Sequence, residues 1–141
     1  MEKSEFSQNH KLMHFSVGSL IKKNGKILMI NRRAPPYGWA CLAGHIDIGE
    51  TPEQAIKREV KEESNLIVKN QKLLFEEFLD WNFCSKGANV HYWYLFECDF
   101  EGELKHNERE SLETGWKTVD DLKRIELEPV WEYWLNKLKI I

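Results

Sequence analysis

Cysteine is scarce in this sequence: Cys41, Cys84 and Cys98 are widely spaced among 141 residues and form no CxxC pair. An odd, scattered set of this kind argues against a disulfide framework and against a zinc knuckle. Long apolar runs are also missing, since none approaches the roughly 18 residues of a membrane span. The first ten residues are too polar for a signal peptide. We therefore expect a cytoplasmic protein without membrane contacts.

A strong excess of charge of either sign is missing as well. Lys and Arg together number 20 and Asp and Glu 23, for a formal net charge of −3. This balance gives no reason to expect stable nucleic-acid binding. Neither repeats nor low-complexity segments divide the chain, and its length suits one domain, residues 1–141.

Six segments rich in aliphatic, β-branched or aromatic residues are predicted strands. They comprise residues 15–21, 26–31, 39–43, 73–81, 90–100 and 116–119. The first two are joined at Asn24-Gly25, a dipeptide suited to a tight hairpin turn.

Two helices are predicted. The first has Thr51 as N-cap in a capping box and Pro52 in its first turn, and it runs to about Ser64. Asn65 ends it, because asparagine tolerates the left-handed conformation found past helix ends. The second begins at Pro129 and carries a stripe of core residues at helical spacing. This order of elements predicts an α/β protein of the α+β type, an α/β/α sandwich around a mixed central sheet.

The first helix distributes its charge unusually. At 100° per residue, Glu59, Glu62 and Glu63 share one sector of the helix. Ala55 and Ile56 project into the same sector, so the carboxylates lie on the face that should meet the protein body. A run of charges is usually a solvated face. Carboxylates turned inward instead need a counter-charge, and oxygen ligands suit a hard cation such as Mg²⁺ or Mn²⁺.

The segment around this helix resembles the Nudix box, GX5EX7REUXEEXGU, in which U is a bulky aliphatic residue. The matching residues are Gly44, Glu50, Arg58, Glu59, Val60, Glu62, Glu63 and Leu66. Asn65 stands where the family has glycine, and asparagine accepts the same left-handed conformation. Just before the box, Ala43 stands where many members carry a second glycine. The resemblance implies a Nudix-type sandwich and a MutT-like nucleotide pyrophosphohydrolase.

The resemblance also implies roles for the residues of the box. The implied metal ligands are the carboxylates of Glu59, Glu62 and Glu63 and the carbonyl of Gly44, holding Mg²⁺ or Mn²⁺. Either Glu62 or Glu63 would act as the general base, unless the base lies outside the box. Glu50 is expected to pair with Arg58, a structural role.

Some members of the family add a carboxylate from a later loop, shortly before a strand that contains tryptophan. Glu110, six residues before Trp116, is the expected ligand. Glu108 and Glu113 are alternatives, and so is a loop in which all three are merely solvated.

Candidate substrate contacts come from the segment before the box. Arg32 and Arg33 end a strand and are expected to contact phosphate, with ordinary surface arginines as the alternative. Trp39 and Tyr37 border the same loop and either stack on a base or pack in the core. His45 is expected to be a structural donor rather than a catalytic residue.

The resemblance leaves the substrate open, because the box binds metal and diphosphate while other loops contact the rest. A (deoxy)nucleoside triphosphate or another nucleotide derivative is favoured. The alternative is a non-catalytic domain that senses a nucleotide or nucleotide sugar, although a complete set of box carboxylates favours an enzyme. The aromatic residues 91–94 suit a homodimer interface and a sheet core equally well.

Overall fold

The structure is a computed structural model and describes residues 2–6, 12–82 and 90–141, so Cys84 lies outside the described residues. The strands are β1 (Ser4–Phe6), β2 (Leu12–Leu20), β3 (Lys22–Lys23), β4 (Lys26–Arg32), β5 (Trp39–Ala40), β6 (Ala43–His45), β7 (Ile67–Leu79), β8 (Val90–Glu101) and β9 (Ser111–Lys117). The helices are α1 (Pro52–Ser64), α2 (Val119–Leu122) and α3 (Pro129–Lys137). None of the helices in these ranges has the length and apolar character that a membrane span requires.

The larger sheet has five strands and mixed pairing. Its order is β1-β2-β8-β7, and β6 pairs with β2 beside β1. β2 and β8 run parallel, with Met13 opposite Val90 and Leu20 opposite Glu97. The other pairs in this sheet are antiparallel. The prediction of a mixed central sheet is confirmed.

The smaller sheet is antiparallel, with the order β3-β4-β5 and with β9 on the other side of β4. Asn24 and Gly25 form the β3–β4 turn with φ of 51° and 76°, the left-handed pair that a two-residue hairpin prefers. The predicted segment 15–21 is the end of β2, which stops at Leu20, and the chain passes at Ile21 from the larger sheet to β3 of the smaller one. The predicted strand 39–43 is divided between the two sheets, since β5 pairs with β4 and β6 pairs with β2.

Two hydrophobic clusters fill the molecule, one on each side of the larger sheet. Ala55, Ile56 and Val60 bring α1 into the first cluster, and Trp131 and Trp134 bring α3 into the second. The side chains of β8 alternate between the clusters, as a strand buried on both faces requires. The predicted α/β/α sandwich is confirmed.

The ends of α1 agree with the predicted capping signals. Thr51 and Gln54 form a reciprocal capping box, and Asn65 ends the helix with φ of 68°. The Asn65 side chain also donates a hydrogen bond to the carbonyl of Glu103, at 3.0 Å. Asparagine thus supplies both the left-handed turn and a tertiary contact. The predicted segment 116–119 proved to be the end of the longer strand β9, followed by the short helix α2, which was not predicted.

Candidate active site

A cavity of about 370 Å³ opens beside the Nudix-like segment, against both its first residues and the second half of α1. Residues of both sheets, of α1 and of α3 line it. At one end it is lined by the segment's own residues Gly44, Arg58, Glu59, Glu62 and Glu63, together with Glu110. Glu59 and Glu63 therefore face the cavity, and Glu62 lies at its rim.

Glu63 is the most deeply placed of these carboxylates, with 6% of its surface exposed. Its Oε1 accepts a hydrogen bond from the backbone N–H of Ala43, at 2.9 Å. Burial and the neighbouring carboxylate of Glu59 raise the pKa of Glu63 well above its ordinary value, and the Ala43 bond opposes them. A nearby positive charge is therefore needed to stabilise the ionised form of Glu63.

Glu59 lies directly against the backbone of Gly44. A Cβ added at Gly44 would lie 2.0 Å from the carboxyl carbon of Glu59, so only glycine allows this approach. Burial raises the pKa of Glu59 to about 7, and Glu62 and Glu110 add to this, whereas Arg58 opposes it. Strand β6 and helix α1 are thus in contact where the Glu59 carboxylate meets the backbone of Gly44.

Arg58 holds the loop before α1 in place. Its guanidinium donates to both oxygens of Glu50, at 2.7 and 2.9 Å, and to the carbonyl of His45, at 2.9 Å. Glu50 also accepts the N–H of Asp47, and the hydrogen bonds from Arg58 hold the pKa of Glu50 below its usual value. A fourth hydrogen bond joins Arg58 to Glu59, at 2.7 Å. The structure therefore contains the Glu50–Arg58 pair, with its charge spread over several partners.

Glu62 differs from its two neighbours. Its side chain is 54% exposed and lies at the cavity rim, 3.4 Å from the Arg58 guanidinium. The expectation that all three carboxylates face the protein body holds for Glu59 and Glu63 but not for Glu62. The reason is geometric: Glu62 lies about 60° from Glu59 on the side of the helix away from Glu63.

The loop before β9 brings Glu110 to the cavity. Its charge contributes to the raised pKa values of Glu59 and Glu63. Glu108 offers its backbone carbonyl to Arg33, and Glu113 lies within β9 opposite Asn31. Among the three candidates for a later ligand, the geometry supports Glu110.

The residues predicted to contact substrate lie in different parts of the structure. Arg32 lines the cavity, where its Nε donates to the carbonyl of Pro36 at 2.8 Å. Arg33 instead donates to the carbonyl of Glu108, which ties β4 to the loop before β9. Trp39 is buried in the cluster beneath α3, with the ammonium of Lys117 4.0 Å from its ring centroid. Tyr37 is 60% exposed. Of these four residues, Arg32 alone lines the cavity, and its contact with phosphate stays a prediction.

Several residues that the sequence analysis did not assign to the site also line the cavity. They include Asn82, His91, Trp93, Arg109 and Glu128. The indole of Trp93 donates to the side-chain oxygen of Asn82, at 2.8 Å. His91 and Trp93 are two residues apart on β8 and so share one face of the strand. The alternation of side chains along β8 was the sequence signal that could have grouped these two residues. It could not show which face of the strand lines a cavity.

Glu128 leads to a stability prediction. Burial raises its pKa to about 7 from 4.5, and nearby Arg32 opposes the rise. Between these two values the folded protein binds more protons than the unfolded chain, so the Glu128 contribution to stability falls as pH rises. Glu128→Gln removes the ionisable group, and with it this loss of stability at higher pH. We expect the free energy of unfolding of the variant, relative to the native protein, to rise by about 2–3 kcal/mol between pH 4.5 and pH 8.

Urea unfolding at the two pH values measures this difference. Glu132→Gln, on the exposed side of α3, is the matched control. Parallel pH profiles for native protein and the Glu128 variant would show that the carboxyl of Glu128 is not held in its neutral form.

Comparison with known proteins identifies the class to which this fold and site belong. The NUDIX domain model matches residues 12–138, and the chain belongs to the Nudix family.

The curated relatives include the NAD-capped RNA hydrolases NudC of Yersinia enterocolitica and Yersinia pestis. The first is 40% identical over 81 residues, which are 57% of this chain and 29% of that protein. The second is 39% identical over 82 residues, with the same two shares. The matched segment thus spans less than a third of these relatives.

Solved structures agree with the family. The MutT Nudix hydrolase of Burkholderia pseudomallei is similar with a TM-score of 0.68 and 25% identity, over 77% of this chain and 85% of that one. The NUDIX domain of Shewanella oneidensis NrtR, solved with ADP ribose, gives a TM-score of 0.73 over 96% of this chain and 92% of that one. Its identity of 15% makes it a likeness of fold alone.

Proposed function

We propose that this protein is a Mg²⁺-dependent pyrophosphohydrolase that cleaves a phosphoanhydride bond in a nucleoside triphosphate or another nucleotide derivative. The observation that carries the proposal is the meeting of Glu59, Glu63 and Glu110 at one end of the cavity. Burial and mutual repulsion raise the pKa values of Glu59 and Glu63. A bound cation stabilises the ionised form of carboxylates that are buried and repel one another.

The donor set fits a hard divalent ion. The carboxylates of Glu59, Glu62, Glu63 and Glu110 would hold it, beside the carbonyl of Gly44. Arg58 forms its bidentate pair with Glu50 and touches Glu59 through one nitrogen, so it leaves most of the negative charge of the cluster uncompensated. Oxygen ligands favour Mg²⁺ or Mn²⁺ over softer metals. When bound, the ion neutralises the diphosphate and lowers the pKa of a water molecule.

The residues of the chain would perform the remaining steps. Glu62 or Glu63 accepts the proton of the attacking water, which adds to phosphorus in line with the leaving oxygen. Arg32 and Arg109 would contact the phosphates, and their position in the cavity lining supports this role. The products are a phosphate monoester and a second fragment that bears phosphate.

The other end of the cavity would receive the remainder of the substrate. Trp93 offers an aromatic surface there, and Asn82 and Glu128 offer polar groups. The names of the NudC relatives support testing NAD-type dinucleotides and NAD-capped RNA, and the ADP ribose in the NrtR complex supports testing ADP-ribose. The buried free thiols of Cys41 and Cys98 agree with the proposed cytoplasmic location.

Product release from a substrate panel tests the proposal. The panel holds nucleoside triphosphates, ADP-ribose, dinucleotides, nucleotide sugars and NAD-capped RNA, each with Mg²⁺ and with Mn²⁺. We expect turnover of at least one member by the native protein, lost in Glu62→Gln and kept in Glu53→Gln. Glu53 is the matched control because it is an exposed glutamate of the same helix.

The alternative function gives a different result in the same assay. A non-catalytic sensing domain would release no product from any member, yet would bind one of them tightly without a divalent ion. That outcome would contradict the hydrolase proposal.

A further inference from the structure

Three histidines from three neighbouring strands converge at the wall of the cavity. They are His14 on β2, His45 on β6 and His91 on β8. His14 lies directly opposite His91 in the parallel β2–β8 pair, and His45 lies opposite Ser16, two residues further along β2. One nitrogen of each imidazole lies within 4.8 Å of the others.

The histidines are enclosed by the protein. His14 and His91 are 6% and 2% exposed, and the side chain of His45 is 16% exposed. Enclosure of this kind keeps the imidazoles in fixed orientations, which a surface cluster would not do.

The hydrogen bonds of two rings determine which nitrogen carries the proton. Nδ1 of His91 lies 2.6 Å from the backbone carbonyl of Asn82, and a carbonyl only accepts, so Nδ1 is the donor. Nδ1 of His45 lies 3.0 Å from a carboxylate oxygen of Glu2, which also accepts.

An imidazole whose Nδ1 donates can bind a cation through the lone pair of its Nε2. The Nε2 atoms of His45 and His91 face each other at 3.3 Å. Two species can join the two atoms at this distance: a proton shared in a hydrogen bond, or a metal ion bound by both.

The 3.3 Å separation of the two Nε2 atoms matches the geometry of a metal centre. Two nitrogens of a tetrahedral zinc centre, each about 2.0–2.1 Å from the ion, lie roughly 3.3–3.4 Å apart. Histidine ligands also characteristically donate the second ring nitrogen to a carbonyl or a carboxylate, as His91 and His45 do. The third imidazole, that of His14, is within reach on the same face of the sheet.

We propose that His14, His45 and His91 bind a borderline divalent ion of the Zn²⁺ class, at a centre separate from the Glu59–Glu63 carboxylates. Imidazole ligands select such ions over Mg²⁺. Glu2 acts on this centre through His45 rather than as a ligand. Since Glu2, His45 and His91 also line the cavity, the fourth position faces the cavity and takes an oxygen of water or phosphate.

Cobalt titration of protein free of any affinity tag tests the site directly. After removal of metals with a chelator, we expect one Co²⁺ per chain with the visible absorption of a tetrahedral complex. Zn²⁺ should displace it, and excess Mg²⁺ should not. His45→Gln and His91→Gln should each weaken Co²⁺ binding by at least about 10-fold.

Two control variants separate this site from other metal binding. His106→Gln removes an exposed histidine and should leave the titration unchanged. Glu63→Gln should also leave it unchanged, because its carboxylate belongs to the other centre. Absence of the tetrahedral band, or its undiminished presence in both His45→Gln and His91→Gln, would overturn the proposal.

A measurement on the native chain does not depend on the folding of variants. In nitrogen-15 spectra of the imidazoles, Zn²⁺ should shift the ring signals of His14, His45 and His91 and leave those of His106 in place. Unchanged signals of the three rings would show that a shared proton, and not a metal, joins them. Neither the cobalt titration nor the nitrogen-15 measurement uses substrate. The outcome of each is therefore independent of the proposed hydrolase activity.

Discussion

Glu63→Gln is expected to lower kcat by about 10²–10⁴-fold, since a residue that binds metal or removes a proton contributes on this scale. The fold should survive. Glutamine keeps an oxygen that can accept the 2.9 Å hydrogen bond from Ala43, and it removes a charge whose burial is unfavourable. The metal-free variant should therefore unfold at the same temperature as the native protein or higher. Mg²⁺-dependent turnover and thermal unfolding, measured on the same preparation, separate the two effects.

The comparison of Glu63→Gln with Glu62→Gln bears on the choice of base. Glu63 is buried and held by the backbone, whereas Glu62 is half exposed at the rim. The variant that loses kcat while its half-saturating Mg²⁺ concentration stays unchanged identifies the base. Near-normal Mg²⁺-dependent activity in both variants would contradict the assigned metal site.

Gly44→Ala is expected to lower kcat/KM by about 10–100-fold while changing the free energy of unfolding by less than about 1 kcal/mol. The added Cβ overlaps the carboxyl end of Glu59, and that end can swing aside at little cost to the fold. Once displaced, the carboxylate no longer reaches its place in the cluster, and displacements near 1 Å cost on the order of 100-fold in rate. The half-saturating Mg²⁺ concentration should rise at the same time.

Gly115→Ala is the matched control for this substitution. Gly115 lies in β9, and in the described part of the chain an added Cβ there meets no atom within 4 Å. Its activity should stay within about twofold of native, a change of less than 0.5 kcal/mol in barrier height. Equal activities for the two alanine variants would show that the contact between Gly44 and Glu59 is not needed.

The helix that carries the site could be predicted closely because its signals are local. The side chains of Thr51 and Gln54 close the first turn, and Asn65 supplies the left-handed end. Once both ends of a helix are known, its period of 3.6 residues determines which side chains share a face. The inward position of Glu59 and Glu63 follows from this arithmetic, as does the contact between Arg58 and Glu62.

The substrate end of the cavity could not be predicted in the same way, because it depends on contacts distant in sequence. Arg33 points to the loop before β9, 75 residues later in the chain. Trp39 joins the cluster beneath α3, and His91 meets His45 only through the pairing of three strands. Strand alternation shows that His91 and Trp93 share a face. It does not show what lies opposite that face.

The parallel pairing of β2 with β8 governs the order in which the molecule can assemble. Met13 pairs with Val90, so formation of the central strand pair of the larger sheet closes a loop of more than 70 residues. The β3–β4 hairpin and α1 need only neighbours in the chain and can form within microseconds. Pairing over such a span is slow, because the entropy of closing the loop is lost before the strands gain their contacts. On the ribosome, β2 therefore remains without its central partner until residues 90–97 have emerged. The cavity is completed later still, because Glu110 and Glu128 of its lining follow β8 in the chain.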